Sequence, residues 1–232
     1  MENKKEVLLD LELYKNFRSE DAPDLFHHVS FKTMNYSKMV SFYQNLFSCK
    51  PMYASDDITF MSFDEEHHRI AIANTSPVFD GLGFVPKTVI KFKNWINRVT
   101  PSIVGLDHIS YKLNPIDKWF DFYFRAKDRG LEPYWTINHG WISGIYYKDP
   151  DGNLVEIFYE HWRNQEEFKT EVSTRGFPEE PVGTNMDIET LYAMYKDGTP
   201  YEDIVRKGNT VPEGKKPVSG MEAAMNMRKK FK

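Results

Sequence analysis

Histidines and one glutamate are the residues of this chain best placed to do chemistry. Glu156 stands inside Leu154-Val155-Glu156-Ile157-Phe158, flanked on both sides by apolar residues. A carboxylate in such a run is buried if the run is a strand, and a lone buried charge is costly. It needs a partner, and a metal ion is the simplest one. His28 and His108 each open a short β-like run, His28-Val29-Ser30-Phe31 and His108-Ile109-Ser110-Tyr111. Two histidines and one carboxylate on a concave surface form the facial triad of non-haem Fe(II) oxygenases, which leaves three coordination positions open.

The elements that must position these residues occur twice. The two histidine-led runs are offset by 80 residues, and Lys38 and Lys118 keep that offset, as do Phe42-Tyr43 and Phe122-Tyr123. In the first copy, residues 25–33 read as a strand. Residues 37–47 read as a helix with Met39, Phe42, Tyr43 and Leu46 at helical spacing and Ser37 as N-cap. Strands follow near 51–55, 58–63 and 67–74. The second copy repeats this with a strand at 106–113, a helix at 116–129 closed by Gly130, and strands near 132–138, 142–148 and 153–160. Asp149-Pro150-Asp151-Gly152 supplies a tight turn between the last two. The pattern predicts an α+β fold of two tandem βαβββ modules, at 25–76 and 106–162, with an N-terminal segment at 1–24 and a linker at 77–105. Gly81, Gly83, Pro86 and Pro101 mark that linker as loop, with a short helix near 94–99. Residues 163–232 form a C-terminal arm, extended over 171–186, with a short helix at 187–196 capped by Asp187 and stopped by Gly198. The last 25 residues, rich in Lys, Gly, Pro and Met, read as weakly packed or disordered.

The two copies differ in their chemistry. Aligning residues 67–73 with 153–158 sets Ala71 opposite Glu156 and His68 opposite Asn153. The first copy therefore lacks a fourth ligand, and this asymmetry predicts an open, reactive metal. Strand alternation points His27 away from His28 and Tyr147 away from Tyr146. His161 belongs to no motif.

The two-copy layout resembles the vicinal oxygen chelate superfamily, which includes glyoxalase I, fosfomycin-resistance proteins and type I extradiol dioxygenases. Within it, His139, Ile145-Tyr146, the turn at Asp149–Gly152 and Glu156 fit the extradiol signature. The pair His67-His68 before a strand of small apolar residues resembles the segment carrying that family's catalytic histidine. The resemblance covers about residues 25–160. It implies a cupped eight-stranded half-barrel around Fe(II) held by His28, His108 and Glu156. Manganese suits the same ligands. It further implies a catechol-type substrate, 2,3-dihydroxybiphenyl-like, and O2, with His68 as the base in the second sphere and His139 and Tyr146 bonding the substrate. The chain departs from the larger extradiol enzymes, having no N-terminal pair of metal-free modules, and its C-terminal arm has no counterpart in the signature. A glyoxalase-type isomerase or lyase would want a second carboxylate where Ala71 stands. A metal-free binding module would have no reason to keep the three ligands with His68 and His139.

Composition narrows the partners. The 232 residues include 30 Lys plus Arg against 34 Asp plus Glu, a formal net charge of −4. That excludes a strongly cationic nucleic-acid binder. Hydrophobic residues make up 41% and aromatics 15%, enough for a core. No run of about 18 apolar residues offers a membrane span, and the charged N-terminus lacks the apolar stretch of a signal peptide. The single cysteine, Cys49, cannot pair within the chain. These features predict a cytoplasmic protein that is not membrane-bound, and the arm suits exchange in a homo-oligomer.

Overall fold

The structure, a computed structural model, describes residues 26–99, 106–162, 182–212, 214–219 and 222. The first module is β1 (Val29–Thr33), α1 (Tyr36–Phe47), β2 (Lys50–Ala54), β3 (Ile58–Ser62) and β4 (Ile70–Asn74). Two helices follow, α2 (Ser76–Asp80) and α3 (Phe84–Val99). The second module is β5 (His108–Lys112), α4 (Ile116–Asp128), β6 (Trp135–Asn138), β7 (Ile142–Lys148) and β8 (Leu154–Glu160). The arm contributes β9 (Thr184–Asn185), α5 (Ile188–Lys196) and α6 (Tyr201–Val205).

The fold is α+β, as the repeat predicts, and the strands form two sheets rather than a closed barrel. Their orders are β1-β4-β3-β2 and β5-β8-β7-β6-β9. In both, the first strand is an edge strand that runs parallel to the fourth, and the other pairs are antiparallel. The ninth strand comes from the arm, with Asn185 opposite Ile137 and Thr184 opposite Asn138.

Each module's helix covers its sheet with one apolar stripe. On α1 the buried residues are Met39, Phe42, Tyr43 and Leu46, one face at 3.6 residues per turn. On α4 they are Ile116, Trp119, Phe120, Phe122, Tyr123 and Ala126. Burial of such large side chains contributes about 1.5–3 kcal/mol each. Trp119 also donates its indole N–H to the Ile157 carbonyl at 3.1 Å, tying α4 to β8. The two stripes belong to one core. Across it Phe47 and Tyr111 pack at 4.7 Å, the Tyr43 hydroxyl donates to Asp149 Oδ2 at 3.1 Å, and Arg129 donates to the Asn45 carbonyl at 2.6 Å.

Several local expectations are corrected. α1 begins at Tyr36 with Asn35, not Ser37, in the N-cap position; the Asn35 side chain donates to Asp151 instead. The stretch after the first module is not loop but α2 and a 16-residue α3. Pro86 lies in the first turn of α3, where a missing N–H costs no helical bond, so it marks a start rather than a break. The described residues of the tail are not loose throughout: Thr210 is buried, and Asn185 and Val218 exchange hydrogen bonds at 3.0 and 2.6 Å. The short helix is as expected, with Asp187 accepting from the Thr190 N–H at 2.7 Å and Gly198 following at φ +82°. The N-terminal segment, residues 100–105, most of the extended stretch at 171–186 and the end of the tail lie outside the described residues.

Candidate metal centre

Strand register places Glu156 at the middle of a row. Ser110 of β5 lies beside it on one flank and Tyr146 of β7 on the other. His108, two residues before Ser110, faces the same side of the sheet. Its Nε2 stands 3.3 Å from Glu156 Oε2, which also accepts from the Ser110 hydroxyl. His139 follows β6 and brings Nε2 to 3.8 Å from Glu156 Oε1 and 3.5 Å from the Tyr146 hydroxyl. The structure thus unites four predicted site residues: His108, His139, Tyr146 and Glu156. They line a cavity of about 370 Å³ with Trp141 and Trp162, whose indoles stack at 5.6 Å.

Two glycines make this possible. Gly144 lies on β7, where a Cβ would come 2.5 Å from Glu156 Oε1; only a hydrogen leaves room for the carboxylate. Gly140 turns the chain after His139 at φ +92°, a conformation that L side chains avoid. Asn138 Oδ1 accepts the Gly140 N–H at 2.7 Å, and Asn138 donates to the Val205 carbonyl at 2.9 Å, so the arm braces the turn that carries His139.

The electrostatics of the row centre on Glu156 and its pairing with His108. Glu156 is only 3% exposed. Burial opposes its ionisation, but the hydrogen bonds from His108 and Ser110 prevail and hold its carboxyl below the usual range. The Glu156 contact pushes His108 up to about 9, against the effect of burial, and Asp107 adds to it. Asp107 Oδ2 lies 2.7 Å from His108 Nδ1, which leaves Nε2 to the site, the usual orientation of a ligating imidazole. Burial lowers His139 despite the Glu156 charge. Burial and then Glu156 raise Tyr146 far above the ordinary phenol, so it stays a hydroxyl. One atom is left over: Glu156 Oε1 is buried and accepts no hydrogen bond. An orphaned carboxylate oxygen 3.8 Å from the His139 imidazole suits a divalent cation in its chemistry, but His108, His139 and Glu156 do not bring three ligand atoms within 4.8 Å of one another.

The other predicted residues gather in the first module. His28 immediately precedes β1, and its ring lies 4.6 Å from that of His68, tilted by 42°, with Phe60 4.8 Å from His68. Among the described residues, the groups of three or more metal-ligating side chains with ligand atoms all within 4.8 Å are His27, His28 and His68, and His27, Glu66 and His67. His28, His108 and Glu156 are not such a group. His27 is corrected: it does not point away, because the strand begins only at Val29, and its Nδ1 lies 2.8 Å from His28 Nδ1. Burial, then the neighbouring histidines His67, His28 and His27, lower His68.

Register explains the asymmetry. Ser30 pairs with Ala71 and Phe60 with Ala71, as Ser110 and Tyr146 pair with Glu156. Ala71 and Phe60 therefore occupy the places of Glu156 and Tyr146, and the first module keeps the histidine of the row without its acid or phenol. Sequence reading missed Ser110 and Asp107, although Ser110 is part of the repeat and Asp107 adjoins a proposed ligand. It also gave His161 no role. His161 is buried, with Nε2 2.9 Å from Ser143 Oγ and Nδ1 3.1 Å from the Gly140 carbonyl, and it props the same turn. Tyr147 does face the core, as alternation predicts.

Comparison with known proteins decides the family. The profile of the Glyoxalase/Bleomycin resistance protein/Dioxygenase superfamily matches residues 25–157. The chain belongs to this superfamily. Biphenyl-2,3-diol 1,2-dioxygenase 2 of Rhodococcus globerulus is 27% identical over 183 residues, 79% of this chain and 87% of that protein. Biphenyl-2,3-diol 1,2-dioxygenase 3 of the same organism is 28% identical over 186 residues, 80% and 89% of the two chains. Among solved structures, lactoylglutathione lyase from Agrobacterium tumefaciens aligns at a TM-score of 0.42 and 13% identity, covering 59% of this chain and 94% of that one. The fosfomycin resistance protein FosX from Listeria monocytogenes aligns at 0.41 and 18%, covering 63% and 98%.

Proposed function

We propose that this superfamily member is an extradiol dioxygenase that adds both atoms of O2 to a catechol-type diol, 2,3-dihydroxybiphenyl-like, and opens the ring beside the diol. The observation that carries the reading is the orphaned Glu156 Oε1, 3.8 Å from His139 Nε2, in a row with His108 and Tyr146 at the wall of a cavity of about 370 Å³. That volume lies in the range of small-ligand sites. The relatives named as biphenyl-2,3-diol dioxygenases support the substrate class.

In this reading Glu156 and His108 would hold Fe(II), and His28, the first-module counterpart of His108 that stands in the histidine cluster, would be the third ligand. Bound there, the metal supplies a Lewis-acid and redox centre for the diol oxygens and O2. Glu156 is the single anion among the three ligands, so the centre keeps a net positive charge that favours a diol anion. Asp107 orients His108. Tyr146, held protonated, donates a hydrogen bond to a substrate oxygen. His139, kept neutral, hydrogen-bonds the substrate and returns to the ring-opening oxygen a proton that it has first taken from the diol. His68, also favoured as neutral imidazole, takes the other diol proton. Trp141 and Trp162 give the ring an apolar wall and keep water from it.

Oxygen uptake by anaerobically Fe(II)-loaded protein, with a panel of catechols that includes 2,3-dihydroxybiphenyl, tests the reading. Uptake with a yellow ring-opened product is expected. Bound iron with no uptake across the panel would sink it and favour another metal-dependent reaction of the fold.

A further inference from the structure

We infer that α3 is an interfacial helix that lays an apolar face on an anionic lipid surface. Phe84, Val85, Val89, Phe92 and Trp95 are between 58% (Trp95) and 83% (Phe84) exposed. At about 100° per residue they fall within a single arc of about 140°. Such a face on a helix of this length is unusual, because a lone helix takes most of its stability from packing that stripe.

The other side of α3 already has its contact. Ile90 shares a cavity wall with Phe79 and Leu82 of the preceding turn and with β1. Lys87 donates to the Asp80 carbonyl at 2.9 Å, and the Lys87 and Lys91 ammonium groups lie 5.8 and 5.9 Å from the centre of the Phe79 ring. The helix is thus tied to α2 by its Lys87 and Lys91 side, and the aromatic side turns outward.

Charge selects the occupant. Residues 84–99 contain Lys87, Lys91, Lys93 and Arg98 and no Asp or Glu, within a chain whose net charge is −4. Lys93 falls at one border of the apolar arc, where a long cationic side chain reaches lipid headgroups while its stem stays on apolar surface, and Lys91 falls at the other, beside the Phe79 ring. A second copy of the chain would set cation against cation, since α3 has no acid to answer them. Phosphatidylserine or a similar anionic headgroup supplies the missing charge, and the acyl boundary receives Phe84, Phe92 and Trp95. Among the described residues no helix is long and apolar enough to cross a membrane; lying on one needs no span.

Co-sedimentation of the full chain with large vesicles tests this. Binding is expected to phosphatidylcholine vesicles containing phosphatidylserine, to fall with added salt, and to be weak on phosphatidylcholine alone. Phe92→Ser with Trp95→Ser should reduce the partition at least about tenfold, and Lys91→Glu with Lys93→Glu about twenty-fold or more. The serine variant should keep the parent melting temperature, because its substituted side chains lie outside the core; the glutamate variant also gives up the Lys91 contact with Phe79 and is compared well below its own melting temperature. No sedimentation with anionic vesicles, or sedimentation unaffected by either pair, overturns the proposal. So does a concentration-dependent dimer that the serine variant abolishes without any vesicle binding, which would make the face an interface between copies.

Discussion

Gly144→Ala separates the integrity of the fold from the integrity of the site. The new methyl carbon would lie 2.5 Å from Glu156 Oε1 and 3.3 Å from Tyr146 Cε2. Ordinary contact begins at 3.4 Å, so the carboxylate must retreat by 3.4 − 2.5 = 0.9 Å. The atom that moves is the end of a side chain, but one held by His108 and Ser110. Overpacking of this kind costs about 1–3 kcal/mol, partly offset by about 0.4–1 kcal/mol from the stiffer unfolded chain. A net loss of about 1 kcal/mol lowers the melting temperature of a chain this size by about 2–4 °C. The site suffers far more, because a displacement near 1 Å in a reacting constellation costs about 100-fold in rate. Thermal unfolding, calorimetric Fe(II) titration and oxygen uptake read the three quantities. A variant with parent-like metal affinity and turnover would refute the claim that the Glu156 position depends on this glycine.

Other perturbations probe separate parts. Glu156→Ala should fail to retain Fe(II) in equilibrium dialysis, since it removes the only anionic ligand; tight binding would disprove its assignment. His28→Ala should weaken metal binding while His27→Ala should not; weakening by both would place the metal in the first-module cluster of His27, His28 and His68. His68→Phe should keep the metal and lose about 100-fold or more in turnover; unchanged turnover means the base lies elsewhere. Tyr43→Phe removes the hydroxyl that reaches Asp149 across the core and should cost about 2 kcal/mol in urea unfolding, with a loss near zero refuting that link between modules. Cys49 is buried, and burial pushes its thiol from 9.0 up to about 11. The folded chain therefore holds a proton that the unfolded chain loses, so this contribution is complete below pH about 9 and disappears as pH rises toward about 11. Cys49→Ala should flatten that limb of the stability curve, and native protein should resist thiol reagents until it unfolds.

Much of the architecture is legible in the chain because its causes are local. Apolar spacing of 3.6 at Met39, Phe42, Tyr43 and Leu46 makes a helix wherever it occurs, and the offset of 80 between His28 and His108 reveals a repeated unit. Glu156 announces itself because a carboxylate amid Val155 and Ile157 demands a partner, and the loss of its counterpart to Ala71 follows from the repeat alone. The tertiary structure decided what is set by pairing across strands. Ser110 and Tyr146 flank Glu156 only because register aligns β5, β8 and β7, and the same register makes Phe60 the silent counterpart of Tyr146. Asn185 adds a strand to the second sheet, and His161 braces the His139 turn from 21 residues beyond Gly140. That His28 stands in a cluster with His27 and His68, and not beside Glu156, likewise appears only in the packed structure. Local propensity acts over a few residues and is written in the sequence; strand register and sheet-edge placement depend on the free energy of the whole packed core and appear only when the chain has folded.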